Sequence, residues 1–188
     1  LSGSSAQMQT LNLGNTDFRG VNLAGVFLAD ANLTNALFDR TTVFSAHVGG
    51  QQQGVNLSYT GANLSTLDLS SKDFRGVNLA GVNLSNANLT SALFDVTTVF
   101  SGIDPPTGQP IGANLSNTTN NGALLDSIAP NADMRGVNLA GVSLSTTFFT
   151  GSFDNTTIFS VQNGGLSIGA NLSGSSAQMQ TLNLGNTD

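Results

Sequence analysis

Residues 6–45 divide into AQMQT LNLGN TDFRG VNLAG VFLAD ANLTN ALFDR TTVFS. The third residue of each quintet is Met8, Leu13, Phe18, Leu23, Leu28, Leu33, Phe38 and Val43. The first is small or β-branched in most quintets (Ala6, Thr16, Val21, Val26, Ala31, Ala36, Thr41), and Leu11 is the exception. The second is usually Asn or Asp, and the last two are polar or small. From residue 62 the pattern runs again through Leu64, Leu69, Phe74, Leu79, Leu84, Leu89, Phe94 and Val99. A period of five fits neither the 3.6 of a helix nor the 2 of a strand. It fits a coil of flat faces and tight corners, with three extended residues on each face. Alternation sends the first and third residues inward and the second toward water. On that frame Val43, Val99 and Ile158 point inward. Gly20, Gly25, Gly76, Gly81, Gly136 and Gly141 fall at corners, where unusual backbone angles cost Gly least. Stacked coils lie about 4.8 Å apart, pair their backbones and ladder Leu over Leu and Phe over Phe.

Two longer repeats enclose the short one. DFRGVNLAG begins at Asp17 and Asp73, DMRGVNLAG begins at Asp133, and Asp188 stands where a further copy would begin. Each copy closes on Phe-Asp-x-Thr-Thr-(Val/Ile)-Phe-Ser, at 38–45, 94–101 and 153–160. Gly-, Gln- or Pro-rich stretches follow at 46–54, 102–112 and 161–169, and they read as loops. Residues 1–17, LSGSSAQMQTLNLGNTD, recur unchanged as residues 172–188. The units are therefore 1–56, 57–112 and 113–171, with the start of a next super-repeat at 172–188. The chain reads as one continuous domain, a window on a longer tandem array; an overlap added by design is the competing explanation. The opening LSGSS, without Met or an apolar leader, reads as an internal or processed start. Thr60-Gly61 and Ser175-Ser176 look like matching two-residue insertions. Residues 118–131 break the pattern most.

Composition narrows the function. The 188 residues are 9% charged, where a typical soluble domain has roughly 25%. All 11 acids are Asp, and the five bases are Arg19, Arg40, Lys72, Arg75 and Arg135. Asn and Gly, 22 each, disfavour helices. Cys is absent, which excludes disulfides and thiolate sites, and the single His47 excludes a multi-histidine metal centre. No apolar run approaches the roughly 20 residues of a membrane span. With so few charges, burial at roughly 25 cal/mol per Å² is the only large stabilising term available.

ANLTN at 31–35, VNLAG at 77–81, ANLTS at 87–91 and ANLSN at 113–117 resemble the Ala-(Asp/Asn)-Leu-x-x consensus of the pentapeptide-repeat proteins. The resemblance implies an all-β fold, a right-handed quadrilateral parallel β-solenoid with four pentapeptides per coil and loop insertions. It also likens Phe-Asp-x-Thr-Thr-Val-Phe to the segment that ends a coil stack before a loop. By that analogy each unit holds about nine regular quintets. The implied core ladder is Leu13, Phe18, Leu23, Leu28, Leu33, Phe38, Leu64, Leu69, Phe74, Leu79, Leu84, Leu89, Phe94, Met134, Leu139, Leu144 and Phe153.

The sequence contains no catalytic, metal or cofactor motif, so the expectation is a non-enzymatic protein with no cofactor. Phe44, Phe100 and Phe159 recur beside the loops. They are candidate interaction residues if their rings face out, although a loop folded over each ring is the favoured reading. Arg19, Arg75 and Arg135 each stand two residues after an Asp and read first as local surface pairs, and second as contacts for lateral packing. The Asn-x-Ser/Thr triplets follow from the consensus itself. The leading expectation is a bacterial extracellular fibre, stalk or surface-layer element, self-associating end to end or as a continuous long chain, with lateral contacts also open. The alternative is adhesion through the variable loops, whose ligand the sequence does not identify. A weaker alternative comes from the resemblance: some members of the family resemble DNA in charge and bind topoisomerases. Nine coils give a rod of about 43 Å. The net charge of −6 spread over it is about 0.14 per Å, against about 0.6 per Å for duplex DNA. The same weak field, without a basic patch, argues against a nucleic-acid partner.

Overall fold

The computed structural model describes residues 6–116, 134–140, 156–163 and 166–169. Leu144, Phe153, Gly141, Ser175-Ser176, residues 118–131 and the recurring 172–188 lie outside the described residues. Within them the chain is all-β, with short strands, turns and single bridges and no helix.

Parallel bridges between second-position residues set the architecture. Gln7 pairs with Phe27, Asn12 with Asn32, Asp17 with Leu37 and Asn22 with Val43. The chain thus returns beside itself after four quintets. The bridges fall into four columns. One runs Gln7, Phe27, Asn56, Asn78, Val99, and the next ends Asn63, Asn83, Asn114, Asn138, Ile158. The remaining two hold Asp17–Leu37 with Asp68–Asn88, and Asn22–Val43 with Asp73–Leu93. Backbone bonds flank every bridge: Leu23 N–H donates to the Val43 carbonyl, and Val43 N–H donates to the Val21 carbonyl.

Each corner is built from its own quintet. Val26 N–H donates to the Leu23 carbonyl and Ala31 N–H to the Leu28 carbonyl, closing a tight turn. The turn's third residue has positive φ, as at Gly25 (73°), Asp30 (60°) and Asn35 (57°), the signature of a type II turn. The second-position Asn or Asp spans the same corner. Asn22 Oδ1 accepts the Ala24 N–H, Asn78 Oδ1 the Ala80 N–H and Asn83 Oδ1 the Ser85 N–H. Asn also bonds between courses, from Asn32 Nδ2 to Asn12 Oδ1 and from Asn83 Nδ2 to Asn63 Oδ1. The two-residue insertion is absorbed by Thr60, whose buried hydroxyl donates to the Leu57 carbonyl.

The interior is filled by third-position side chains. Leu23, Leu28, Leu33, Leu64, Leu69, Phe74, Leu79, Leu84, Leu89, Phe94, Met134 and Leu139 are buried, as are Phe18 and Phe38. Leu13 is only half-buried, in the first described course. Phe18, Phe38, Phe44, Phe74, Phe94 and Phe100 form an unbroken row with centroids 5.3–6.1 Å apart.

The expected frame fails at the end of each unit. Val99 and Ile158 are each 41% exposed and Val43 is half-buried, while Phe44 and Phe100 are 1% exposed. The cause is one extra residue. Asp39 closes a turn with Thr42, whose N–H donates to the Asp39 carbonyl and whose hydroxyl accepts the Asp39 N–H. Phe44 therefore follows Phe38 by six residues. Thr42, Val43 and Phe44 take the first, second and third places, and Thr42 is fully buried with its hydroxyl on the Phe18 carbonyl. Asp95 and Thr98 repeat the arrangement.

The three stretches expected as loops are hairpins. β1 (Ser45–Val48) pairs with β2 (Gln51–Gly54), β3 (Ser101–Ile103) with β4 (Pro110–Gly112), and β5 (Ser160–Asn163) with β6 (Leu166–Gly169), all antiparallel. Each replaces a corner. The columns that precede them, those of Val43, Val99 and Ile158, are three successive columns. Each unit therefore carries its hairpin one column further on.

Candidate functional site

The hairpins and the corners that seat them hold most of the chain's specific polar chemistry. β1–β2 stands between Val43 and Asn56, sandwiched between two glycine corners. On one side Gly25 faces the Gln53 side chain. On the other Gly54 lies so close to Gly76 that a methyl group on Gly54 would overlap the Gly76 carbonyl and the Val77 nitrogen. β3–β4 repeats this one column on. Ile111 Cδ1 would lie 3.3 Å from a methyl on Gly81, and a methyl on Gly112 would overlap Gly136 and Val137. Elsewhere the positive-φ place is held by Thr10, Asn15, Thr66 or Ser71. Glycine stands where a hairpin must pass, which accounts for the two glycines of each DFRGVNLAG.

Polar bonds fix the seating. Ser45 Oγ donates to the Arg75 carbonyl, and Ser101 Oγ donates to the Arg135 carbonyl. Gln52 Nε2 donates to Ser45 Oγ at 2.6 Å and to Asp73 Oδ2 at 3.1 Å. Beneath the hairpin, Arg75 holds Asp73 through Nε–Oδ1 at 3.0 Å and Nη2–Oδ2 at 2.7 Å. Arg19 holds Asp17 in the same way, at 2.9 and 2.6 Å. The second pair is far more open: Arg19 and Asp17 are 53% and 49% exposed, against 33% and 24% for Arg75 and Asp73.

These contacts shift the acids. Arg19, through its side chain and its backbone N–H, brings Asp17 from the ordinary 3.8 down to about 2. Burial pushes Asp73 up, but the Arg75 side chain and N–H, with Gln52, together outweigh it and the net shift is downward. The Thr41 hydroxyl and N–H lower Asp39. Burial, then Asp30 and Asp104, raises Tyr59, whose hydroxyl end lies against Gly102.

The residues expected as interaction sites separate into two groups. Phe44 and Phe100 belong to the interior row and Phe159 is half-buried, so the first two present no aromatic surface. The six-residue step that turns them inward is the cause. Arg19 and Arg75 have their guanidinium groups engaged by their own Asp, and Arg135 is half-buried. His47 is exposed on β1. Among the described residues no cluster of three His, Cys, Asp or Glu is placed to hold a metal ion, and no helix is long and apolar enough to cross a membrane. The seating role of Ser45, Gln52, Gly54 and Gly76 escaped sequence reasoning. Its signal was present: Ser and Gly bracket all three variable stretches, at 45 and 54, 101 and 112, and 160 and 169.

Quintets that turn on an Asx-braced corner and pair in parallel every fourth step define a repeat protein of stacked short courses. The chain belongs to the pentapeptide-repeat family: residues 4–42 and 60–95 match the family described as Pentapeptide repeats (8 copies). No curated protein matches the chain. Several solved structures are similar in fold. A pentapeptide repeat protein from the Arabidopsis thaliana thylakoid lumen is 20% identical over 73% of this chain and 67% of its own, with a TM-score of 0.33. HetL, involved in heterocyst differentiation regulation in the cyanobacterium Nostoc, is 21% identical over 93% of this chain and 58% of its own, with a TM-score of 0.30. Full-length QnrB1, a plasmid-mediated fluoroquinolone resistance protein, is 20% identical over 92% of this chain and 93% of its own, with a TM-score of 0.34. Overall superposition is loose in each case, so the fold rests on the chain's own bridges and its family match.

Proposed function

We propose that the chain is one continuous right-handed, quadrilateral β-solenoid and that it works as a non-enzymatic structural rod. Its units are 1–56, 57–112 and 113–171, and 172–188 opens the next. The buried Leu and Phe ladder is the spine of the rod. The rod extends as a fibre, stalk or surface-layer element outside a bacterial cell. The observation that carries this reading is the parallel bridge column, continuous from Gln7 to Val99 and taken up beside it from Asn63 to Ile158. The identity of residues 1–17 with 172–188 supports continuation of the same stack. The scarcity of Lys, the lack of Glu and Cys, and the wealth of Asn and Gly suit a secreted surface protein.

Electron microscopy and cell fractionation test this. Filaments a few nanometres wide in the cell-surface fraction support it, and short monodisperse particles in the cytosol contradict it. A second reading, ligand capture by the hairpins, draws on their tips: a methyl on Gly49, Gly50 or Gly108 would meet nothing within 4 Å. Shortening the tips would then abolish attachment and leave rods intact. Imitation of DNA is disfavoured by the net charge of −6, about a quarter of the duplex density over such a rod. Failure to co-purify with a topoisomerase is the matching expectation.

A further inference from the structure

Two Asp-Arg-Gly corners, at Arg75-Gly76 and Arg135-Gly136, each carry the hairpin of the preceding unit. The third, at Arg19-Gly20, carries none among the described residues. A methyl on Gly76 would meet Gly54 N at 3.2 Å, and one on Gly136 would meet Gly112 N at 2.9 Å. One on Gly20 would meet only the Thr41 hydroxyl, at 3.9 Å. The greater exposure of the Asp17–Arg19 pair is the same vacancy seen from the side chains. At the other end stands a hairpin without a corner to sit on. In β5–β6, Ser160 is register-paired with Gly169, as Ser45 is with Gly54 and Ser101 with Gly112. The corner it would meet begins at Asp188, the last residue of the sequence.

We infer that the Arg19-Gly20 corner is a docking site for the Ser160–Gly169 hairpin of a second copy of this chain. This rests on the end-to-end reading above and names its joint. The sequence itself specifies the occupant. What precedes LSGSSAQMQTLNLGNTD at 172–188 is the β5–β6 hairpin, so the same hairpin belongs before the identical residues 1–17. Columns agree. The hairpin corners advance by one column per unit, and Gly20 lies one column before the corner of β1–β2. In the joint Ser160 Oγ donates to the Arg19 carbonyl and Gly169 lies against Gly20. Residues 172–188 of one copy and 1–17 of the next are interchangeable there, so one of the two identical segments fills the place.

The absence of cysteine gives a clean test. Chains carrying Ser160→Cys and Arg19→Cys are mixed under oxidising conditions, with Ser45→Cys/Arg75→Cys as the intrachain control. Cross-linked dimers only in the mixture, together with at least tenfold weaker association of Gly169→Val in sedimentation, support the joint. Gly169→Val should keep the thermal midpoint of the parent chain; the cysteine pair reads the joint independently if it does not. Assembly of the parent chain without the cross-link, and with Gly169→Val assembling equally, overturns the joint and leaves the end-to-end reading standing. A parent chain that stays monomeric at every concentration overturns both.

Discussion

At the residue scale, the second-position Asn does more than face water. Alternation alone places it outward, and that much was legible in the sequence. Its bond to a backbone N–H two residues on was not, because outward exposure is compatible with any polar side chain. Asn83 braces its own corner and also donates to Asn63 across courses. Replacing it with Ala should cost about 1–2 kcal/mol in denaturant unfolding, since each bond contributes about 1 kcal/mol. The acids give a pH signature with a definite sign. Asp17 and Asp73 have folded-state pKa values below the ordinary 3.8, so their contribution is complete above that value. It is lost as pH falls through the folded values, which for Asp17 means between about 4 and about 2. The thermal midpoint should fall across that window, and Asp73→Asn should flatten the fall.

At the element scale, one extra residue in each Asp-x-Thr-Thr turn reverses the facing of everything after it. TTVFS at 41–45 looks like an in-phase quintet, so the sequence offered no reason to shift the frame. Only the buried Thr42, bonded to the Phe18 carbonyl, reveals the slip. Two substitutions separate the frames. Phe44→Ala should cost about 3–5 kcal/mol, the usual range for a buried ring. Val99→Ser should stay within about 0.5 kcal/mol, as surface changes do. The hairpins are seated as tightly as the ladder is packed. Gly54→Ala and Gly112→Ala push a methyl into backbone and should each cost about 3 kcal/mol or more, at or beyond the top of the usual overpacking range. Differential unfolding of wild type and variants reads all four.

At the scale of the whole molecule, the number of quintets per unit matters more than any single contact. Nine quintets on four columns leave a remainder of one, so hairpins and buried Phe move together around the stack. Phe18 and Phe38 share one column, Phe44, Phe74 and Phe94 the next, and Phe100 and Met134 the one after, judged by the bridges beside them. The nested repeats made the stacking legible. The drift of the hairpins required the bridge partners, because a repeat length does not reveal its phase on a four-column stack. The central claim is that short parallel courses lie across the axis with third-position side chains sealed between them. Diffraction from an oriented gel or film of the protein tests it most directly. A meridional reflection at about 4.8 Å, the spacing of hydrogen-bonded strands, is the predicted result. The same spacing on the equator, or the roughly 5.4 Å pitch of α-helix, would contradict it.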